Sequence, residues 1–331
     1  MGIVHFLNVN DGDCHIIQHP LGHTTVIDVC NASSTETKDV SEGTAYSAKS
    51  LNISGNFNQK ATPTNPITYL ENLEVSSIFR YIQTHPDMDH MDGIEDLFGS
   101  FSPANFWDTD NTKKITGDFG KYKEDDWKFY SGIRSGSEKN PKRLVLYDGA
   151  TGHYFNEDEN GKGGGDGLKI LAPTLELIKN ANDKEDWNDS SYVILYNTQG
   201  RKILFCGDAH DNTWEHLLEN YSDTLKDIDV LIAPHHGRDS GMDFSFLDTL
   251  CPSLTLFGNA KSKDLAYDKW TSRKLNYVTN NQAGNIILDP DQDDYLRVYV
   301  SNFDFADAYA KSKGAKTSYS ETHDAWSLIA L

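Results

Sequence analysis

Three separate apolar runs in this 331-residue chain end in side chains that can bind metal ions, and that recurrence constrains the fold more than any other feature. Ile78 to Thr84 leads into Thr84-His85-Pro86-Asp87-Met88-Asp89-His90-Met91-Asp92-Gly93, then into a helical pattern from about Gly93 to Phe98. Ile203 to Cys206 delivers Asp208 after Gly207, and Val230 to Ala233 delivers His235 and His236 after Pro234. A strand that stops before a helix leaves its last side chains outside the sheet edge, where they can converge. In an extended turn His85 and Asp87 project to the same side, while Asp89 and His90 come from the tightening turn and face a second point. Such a loop suits two adjacent ions. A carboxylate placed like Asp208 can bridge them, one oxygen to each. Any one of these residues alone reads as a solvated loop charge or a structural group; three strand ends in this order do not.

The rest of the chain organises around those ends. Ile3 to Val9, His15 to His19 and Thr24 to Val29 read as an antiparallel meander with Asn10-Asp11-Gly12-Asp13 and Leu21-Gly22 as turns. Asn65-Pro66 reads as a helix start. Leu168 to Ala172, Tyr192 to Asn197 and Ser253 to Phe257 are further strands, and helices are expected near Thr213 to Tyr221 and Phe244 to Leu250. Strands that first meander and then alternate with helices predict two sheets with helices outside, in one domain spanning 1–331. Residues 31–65 and 109–167 read as insertions, the second a candidate lid. The aromatics of the 107–130 stretch, Trp107, Tyr122, Trp127 and Tyr130, interleaved with Lys113, Lys114, Lys121, Lys123 and Lys128, are expected to pack the insertion onto the core, with base stacking as the alternative. The glycine-rich stretch from Gly149 to Gly167 reads as a linker: Gly161-Lys162 is followed by Gly, where a phosphate loop needs Ser or Thr.

Composition excludes several classes. Thirty Lys and Arg against fifty Asp and Glu leave a net charge of −20, which argues against a broad basic groove for nucleic acid and against an anionic membrane surface. No leader-like start and no apolar stretch of membrane-spanning length are present. Cys14, Cys30, Cys206 and Cys251 are scattered without a CxxC pair, as expected of reduced thiols in a soluble, cytoplasmic protein. Gly-x-Ser-x-Gly and Gly-x-Gly-x-x-Gly motifs are absent from the places where a nucleophile elbow or a dinucleotide site would need them.

HxDxDH, then Gly-Asp, then His-His-Gly, preceded by a meander carrying Asp13 and Asp28, resembles the metallo-β-lactamase fold, and within it the soluble domain of the ComEC-type DNA-uptake channel protein. The resemblance covers about residues 3–30, 66–98 and 168–290. It implies an α/β, four-layer αββα sandwich. It also implies His85 and Asp87 on a first metal, Asp89 and His90 on a second, and Asp208 as the bridge. One of His235 and His236 completes the second site, the other lying near the substrate; His236 is the favoured ligand. Asp28 matches the family's early outer Asp, which orients a ligand or the loop, and Asp13 lies in the matching Gly-Asp turn. The separate His that the family places before the bridging Asp is missing; Asp189, in Asn188-Asp189-Ser190-Ser191, stands in the corresponding place as a candidate ligand.

Two divalent ions bring +4 and Asp87, Asp89 and Asp208 bring −3, or −4 with Asp189. Carboxylate in place of imidazole hardens the ligand set and shifts preference from Zn²⁺ alone toward Mn²⁺ or a mixture. Ions held roughly 3.5–4 Å apart lower the pKa of water and stabilise a leaving oxygen, so in-line attack on a phosphodiester is the natural reaction. Asp89, His235 and Arg238 are the candidate catalytic residues, His235 as acid or phosphate donor and Arg238 as a neutralising charge. The expected function is a dinuclear-metal phosphodiesterase or nuclease acting on DNA strands or ends. A small-molecule phosphodiesterase, for a nucleotide or phosphocholine-like substrate, is one alternative; a non-catalytic binding module with a degenerate metal site is another. His5, His15, His19, His23, His210, His216 and His323 are expected to be structural or exposed.

Overall fold

The computed structural model describes residues 2–35, 48–260, 264–290 and 295–331. Part of the expected 31–65 insertion, residues 36–47, lies outside them. The opening meander is β1 (Ile3–Phe6), β2 (His15–Gln18) and β3 (Thr24–Ile27). It is antiparallel, pairing Val4 with Ile17 and Ile16 with Val26. β4 (Ala48–Ser50) and β5 (Ile53–Gly55) form a separate hairpin. Helices and strands then alternate through α1 (Pro66–Asn72), β6 (Arg80–Ile82), α2 (Ile94–Phe101), β7 (Asn105–Asp108), α3 (Glu124–Ser135) and β8 (Lys142–Val145). The Asn65 side chain accepts from the Ile67 amide, capping α1 ahead of Pro66 as its sequence predicts.

The second half contains β9 (Leu168–Ala172), α4 (Leu175–Lys184), β10 (Val193–Thr198), β11 (Arg201–Phe205), α5 (Asp211–Tyr221), β12 (Val230–Ile232) and α6 (Phe246–Leu250). There follow β13 (Leu254–Phe257), α7 (Tyr267–Ser272), β14 (Tyr277–Thr279), α8 (Asn280–Ala283) and β15 (Ile286–Pro290). β16 (Leu296–Val300), α9 (Phe303–Ser312), β17 (Tyr319–Ser320) and β18 (Ala325–Ala330) close the chain. Among the described residues the strands form one ten-stranded sheet, β17-β18-β16-β15-β1-β2-β3-β6-β7-β8, and one six-stranded sheet, β14-β13-β12-β11-β10-β9.

Strand alternation decides the layers. Ile27, Ile82 and Trp107 of the first sheet meet Ile194, Ile203, Phe205, Val230 and Leu254 of the second in one buried cluster. The intervening residues point the other way. Val26, Tyr81 and Phe106 pack under α1, α2 and α3, while Leu195, Leu204 and Leu231 pack under Trp214, Leu217, Phe246 and Leu247 of α5 and α6. Helix, sheet, sheet and helix are therefore separated by three apolar interfaces, and both-sided burial is why these strands read as unbroken apolar runs.

The 109–167 stretch does not stay outside this frame. α3 crosses over to β8, which pairs parallel to β7 and forms an edge of the first sheet. Trp107, Trp127 and Tyr130 are buried and Tyr122 packs against the outer cluster, so these aromatics serve packing. No helix among the described residues is long and apolar enough to cross a membrane.

α3 also caps its neighbour. Asp126 accepts from the Gly93 amide at 3.0 Å and the Glu95 amide at 3.2 Å, satisfying the start of α2 directly behind the His85–Asp92 loop. Burial outweighs these amides and raises Asp126 to about 6. Asp126→Ala should lower stability to chemical denaturation by about 1–2 kcal/mol, as loss of a helix cap does, and Asp126→Asn, which keeps an acceptor without a buried charge, should lose less.

Candidate metal centre

The convergence starts at the carboxyl ends of parallel strands. β3 ends in Asp28, β6 in the His85–His90 loop, β11 in Gly207-Asp208 and β12 in the Pro234–Gly237 turn. The first two belong to one sheet and the last two to the other. Gly207 permits the approach: its φ is +49°, and an added Cβ would stand 2.9 Å from the Thr84 side chain. Gly12 does the same for the β1–β2 turn, where a Cβ would lie 2.1 Å from the Asp89 carbonyl oxygen. Asp28, His235 and His236 all adopt positive φ without being glycine, at 56°, 51° and 56°. Such backbone is costly and is kept where the surroundings demand it.

Asp208 is the hub, 3% exposed. Its Oδ2 lies 3.6 Å from His85 Nε2 and 3.6 Å from His235 Nε2. Its Oδ1 lies 3.2 Å from His90 Nε2 and 3.8 Å from His236 Nε2. Asp89 Oδ2 joins the Oδ1 side, 3.5 Å from His236 Nε2. Asp87 Oδ2 joins the Oδ2 side, 3.9 Å from His85 Nε2. The sequence left open which of the adjacent histidines belongs to the centre. Both do, because two consecutive left-handed residues turn the rings to different oxygens of one carboxylate.

The residues behind the rings fix their tautomers. His90 Nδ1 lies 2.8 Å from Asp28 Oδ2, so it carries the proton and Nε2 is left facing inward. Thr84 donates its hydroxyl to Asp28 Oδ2 and its amide to Asp28 Oδ1. The Thr84 oxygen can then accept from His85 Nδ1 at 3.0 Å, which turns His85 Nε2 inward without a proton. Asp13 Oδ1 stands 3.0 Å from His236 Nδ1. His210 Nε2, expected from the sequence to be structural or exposed, lies 3.3 Å from His235 Nδ1. Its spacing two residues after Asp208 is the signal that could have found it.

These groups fit divalent cations. His85 Nε2, His90 Nε2, His236 Nε2 and Asp208 Oδ1 are buried and make no hydrogen bond among the described residues. Buried polar atoms are rarely left so, and imidazole nitrogens mixed with carboxylate oxygens are a ligand set for Zn²⁺, Mn²⁺ or iron. Asp13, His90, Asp208 and His236 offer atoms within 4.8 Å of one another. Asp13 approaches the outer nitrogen of His236, so its place is behind that ring. Without cations, burial opposes charge on His236, but Asp13 and Asp208 outweigh it and push the pKa up to about 10. Burial likewise opposes a charged His90, and Asp208 and Asp28 raise it well above its ordinary value. Burial and the neighbouring His90 lower His85, and burial lowers His235 to about 4 despite Asp208.

Two expected residues take other places. Asp189 accepts from the Thr213 amide at 3.1 Å and from the Asn212 side chain, so both carboxylate oxygens are engaged at the start of α5. Among the described residues no hydrogen bond or ion pair joins it to Asp208 or its histidines. Arg238 follows the turn half-buried, bridged through its backbone to Leu265. Its charge helps to lower His235, without a side-chain contact to the centre among the described residues. Lys113, from the expected lid, pairs with Asp87 Oδ1; nothing local in the sequence marked it.

The layer order and the loops that carry these groups give one architecture. The fold is a four-layer αββα sandwich, the architecture that the resemblance to the metallo-β-lactamase fold implies. No protein-family model matches the chain, and no curated protein matches it by sequence. Among solved structures it is similar to the metallo-β-lactamase fold protein YhfI from Bacillus subtilis, at 7% identity and a TM-score of 0.47 over 87% of this chain and 99% of that one. It is also similar to an isothiocyanate hydrolase from Delia radicum gut bacteria, at 14% identity and a TM-score of 0.43 over 84% and 96%. A third is CmlA, a diiron β-hydroxylase from Streptomyces venezuelae, at 12% identity and 0.44 over 84% and 52%. At TM-scores below 0.5 these likenesses bear on neither substrate nor reaction.

Removing the carboxylate behind a ligand should show in metal affinity: Asp28→Asn is expected to weaken it about 10- to 100-fold by competition with a chelator. Raised proton affinities at His90 and His236 mean that both rings are protonated near pH 7 without cations. Cation binding must then release protons, and affinity should fall as pH falls. Calorimetry in buffers of different ionisation enthalpy should register that release; a buffer-independent heat would contradict the protonated state of these rings.

Proposed function

We propose that this protein is a two-cation hydrolase of phosphodiesters, with His85, Asp87 and His235 on one cation, Asp89, His90 and His236 on the other, and Asp208 shared. The observation that carries the reading is the division of four imidazole nitrogens between the two oxygens of the single buried Asp208 carboxylate. Bound there, divalent cations supply Lewis acidity toward a phosphoryl oxygen and an acidified water.

The chain's own groups do the rest. Asp28 and Asp13 keep two rings oriented toward the centre. His235 is 17% exposed at its side chain, the most open of the four rings, and stands where a substrate would enter. A ring held neutral there can accept or donate a proton at Nε2 if it is released from its ligand place. The loops of both sheets exclude water from the other three rings, which are fully buried.

Substrate size follows from the lysines. Lys113 pairs with Asp87, Lys121 with Asp11, Lys123 with Asp96, and Lys128 with Asp125. A track for a long nucleic-acid backbone needs uncompensated cations, and here four of the five lysines in that stretch already face carboxylates. The favoured substrate is therefore a short or small phosphodiester, with DNA strands or ends as the alternative that the ComEC-type resemblance suggests.

The deciding experiment measures metal content and turnover of bis(p-nitrophenyl) phosphate, a dinucleotide, single-stranded DNA and duplex DNA. Asp208→Ala and Asp87→Ala should each lower bound metal, and Asp208→Ala should reduce turnover by at least about 10³-fold, as expected when two-ion catalysis is lost. Unchanged rates in both variants would sink the centre, and efficient cleavage of long DNA would overturn the preference for small substrates. With three carboxylates among its ligands the centre should run on Mn²⁺ at least as well as on Zn²⁺ in metal-replacement assays.

A further inference from the structure

The stretch between β7 and α3 runs beside the mouth of the centre and is fastened there. Thr112 donates its amide to Asn182 Oδ1, and Asn182 donates back to the Asp110 carbonyl. Lys121 reaches Asp11 at 3.4 Å and Lys123 reaches Asp96 at 3.1 Å. Between these anchors Lys113 sends its ammonium to Asp87 Oδ1, the oxygen turned away from His85. The same ammonium stands 5.2 Å from the centre of the Trp187 ring. The Lys113 side chain is 17% exposed and lines a recess of about 570 Å³ with Asn111, Thr112, Lys114, Arg134, Trp187 and one carboxylate, Glu185. Arg134 is already committed to Asp108 at 3.0 Å, so its charge serves the fold.

Lys113 is therefore one carboxylate away from the centre and is itself part of the recess wall. Asp87 has another duty under the two-cation reading. A cation held by Asp87 would draw charge from its carboxylate and would leave Lys113 less fully compensated, with the Trp187 ring beside it. That combination suits an anionic oxygen whose ester carries a flat group.

We propose that Lys113 is a substrate-binding residue, holding an anionic phosphoryl oxygen at the edge of the centre while the ester group lies along Trp187 in the adjoining recess. Naming that anion as substrate rests on the phosphodiester reading above. The competing explanation is that Lys113 merely neutralises Asp87 and supports the metal.

The test compares metal-loaded wild type, Lys113→Ala and Lys113→Arg. Calorimetry follows binding of inorganic phosphate, elemental analysis follows metal content, and turnover uses bis(p-nitrophenyl) phosphate. Lys113→Ala should weaken phosphate binding at least about tenfold, the usual worth of a hydrogen bond to a charged group. Lys113→Arg should stay close to wild type, and all three proteins should hold equal metal. Phosphate binding unchanged in Lys113→Ala, or weakened in step with lost metal, would overturn the assignment. Wild-type turnover with phosphate binding indifferent to Lys113 would overturn this inference alone. Phosphate bound through Lys113 without any diester cleavage would overturn the substrate assignment and the phosphodiester reading with it.

Discussion

A carboxylate removed from water and surrounded by four imidazole rings sets the terms for the rest of this structure. Taking an isolated carboxylate into a protein interior costs several kcal/mol, and Asp208 is 3% exposed. Positive charge must therefore be present. In the cation-free chain it comes from protons on His90 and His236; with cations bound it comes from the metal. The burial that opposes every charge here is overcome only because Asp208, Asp28 and Asp13 act together. Opposite charges in a dry pocket support one another, and removing one leaves the others unpaired.

The layers exist to deliver that arrangement. Neither sheet holds the whole candidate centre: Asp28, His85, Asp87, Asp89 and His90 follow strands of one, and Asp208, His235 and His236 follow strands of the other. Each contributing strand is buried on both faces, which fixes its register, since a one-residue slip would exchange inner and outer side chains. Left-handed backbone at Asp28, His235 and His236 then spends some of that stability on aiming individual side chains.

Strand ends were legible in the sequence because both-sided burial leaves a plain signal, an apolar run stopping at polar residues. The His85–His90 loop, Asp208 and the His235-His236 pair stood out for that reason, whereas Asp13 and Asp28 were marked only by the resemblance. What could not be read depended on contacts between distant segments. The division of labour between His235 and His236 turns on two consecutive positive φ angles. Lys113 lies 26 residues from Asp87, in a polar stretch that also suited a loose lid. Asp189 has the residue type and strand position of a ligand, yet its oxygens are taken by the first turn of α5. The edge strand β8 was hidden because Lys142–Val145 is partly exposed and carries two basic residues.

The apolar slab between the sheets has a role besides stability. Ile82 and Phe205, which precede the two halves of the centre, share that slab, so its thickness sets how far apart the halves stand. Close-packed interiors transmit a change of even one methylene. The slab is therefore the gauge that spaces the ligands, and a shear of one sheet along the other would be felt first as a change in the gap across Asp208.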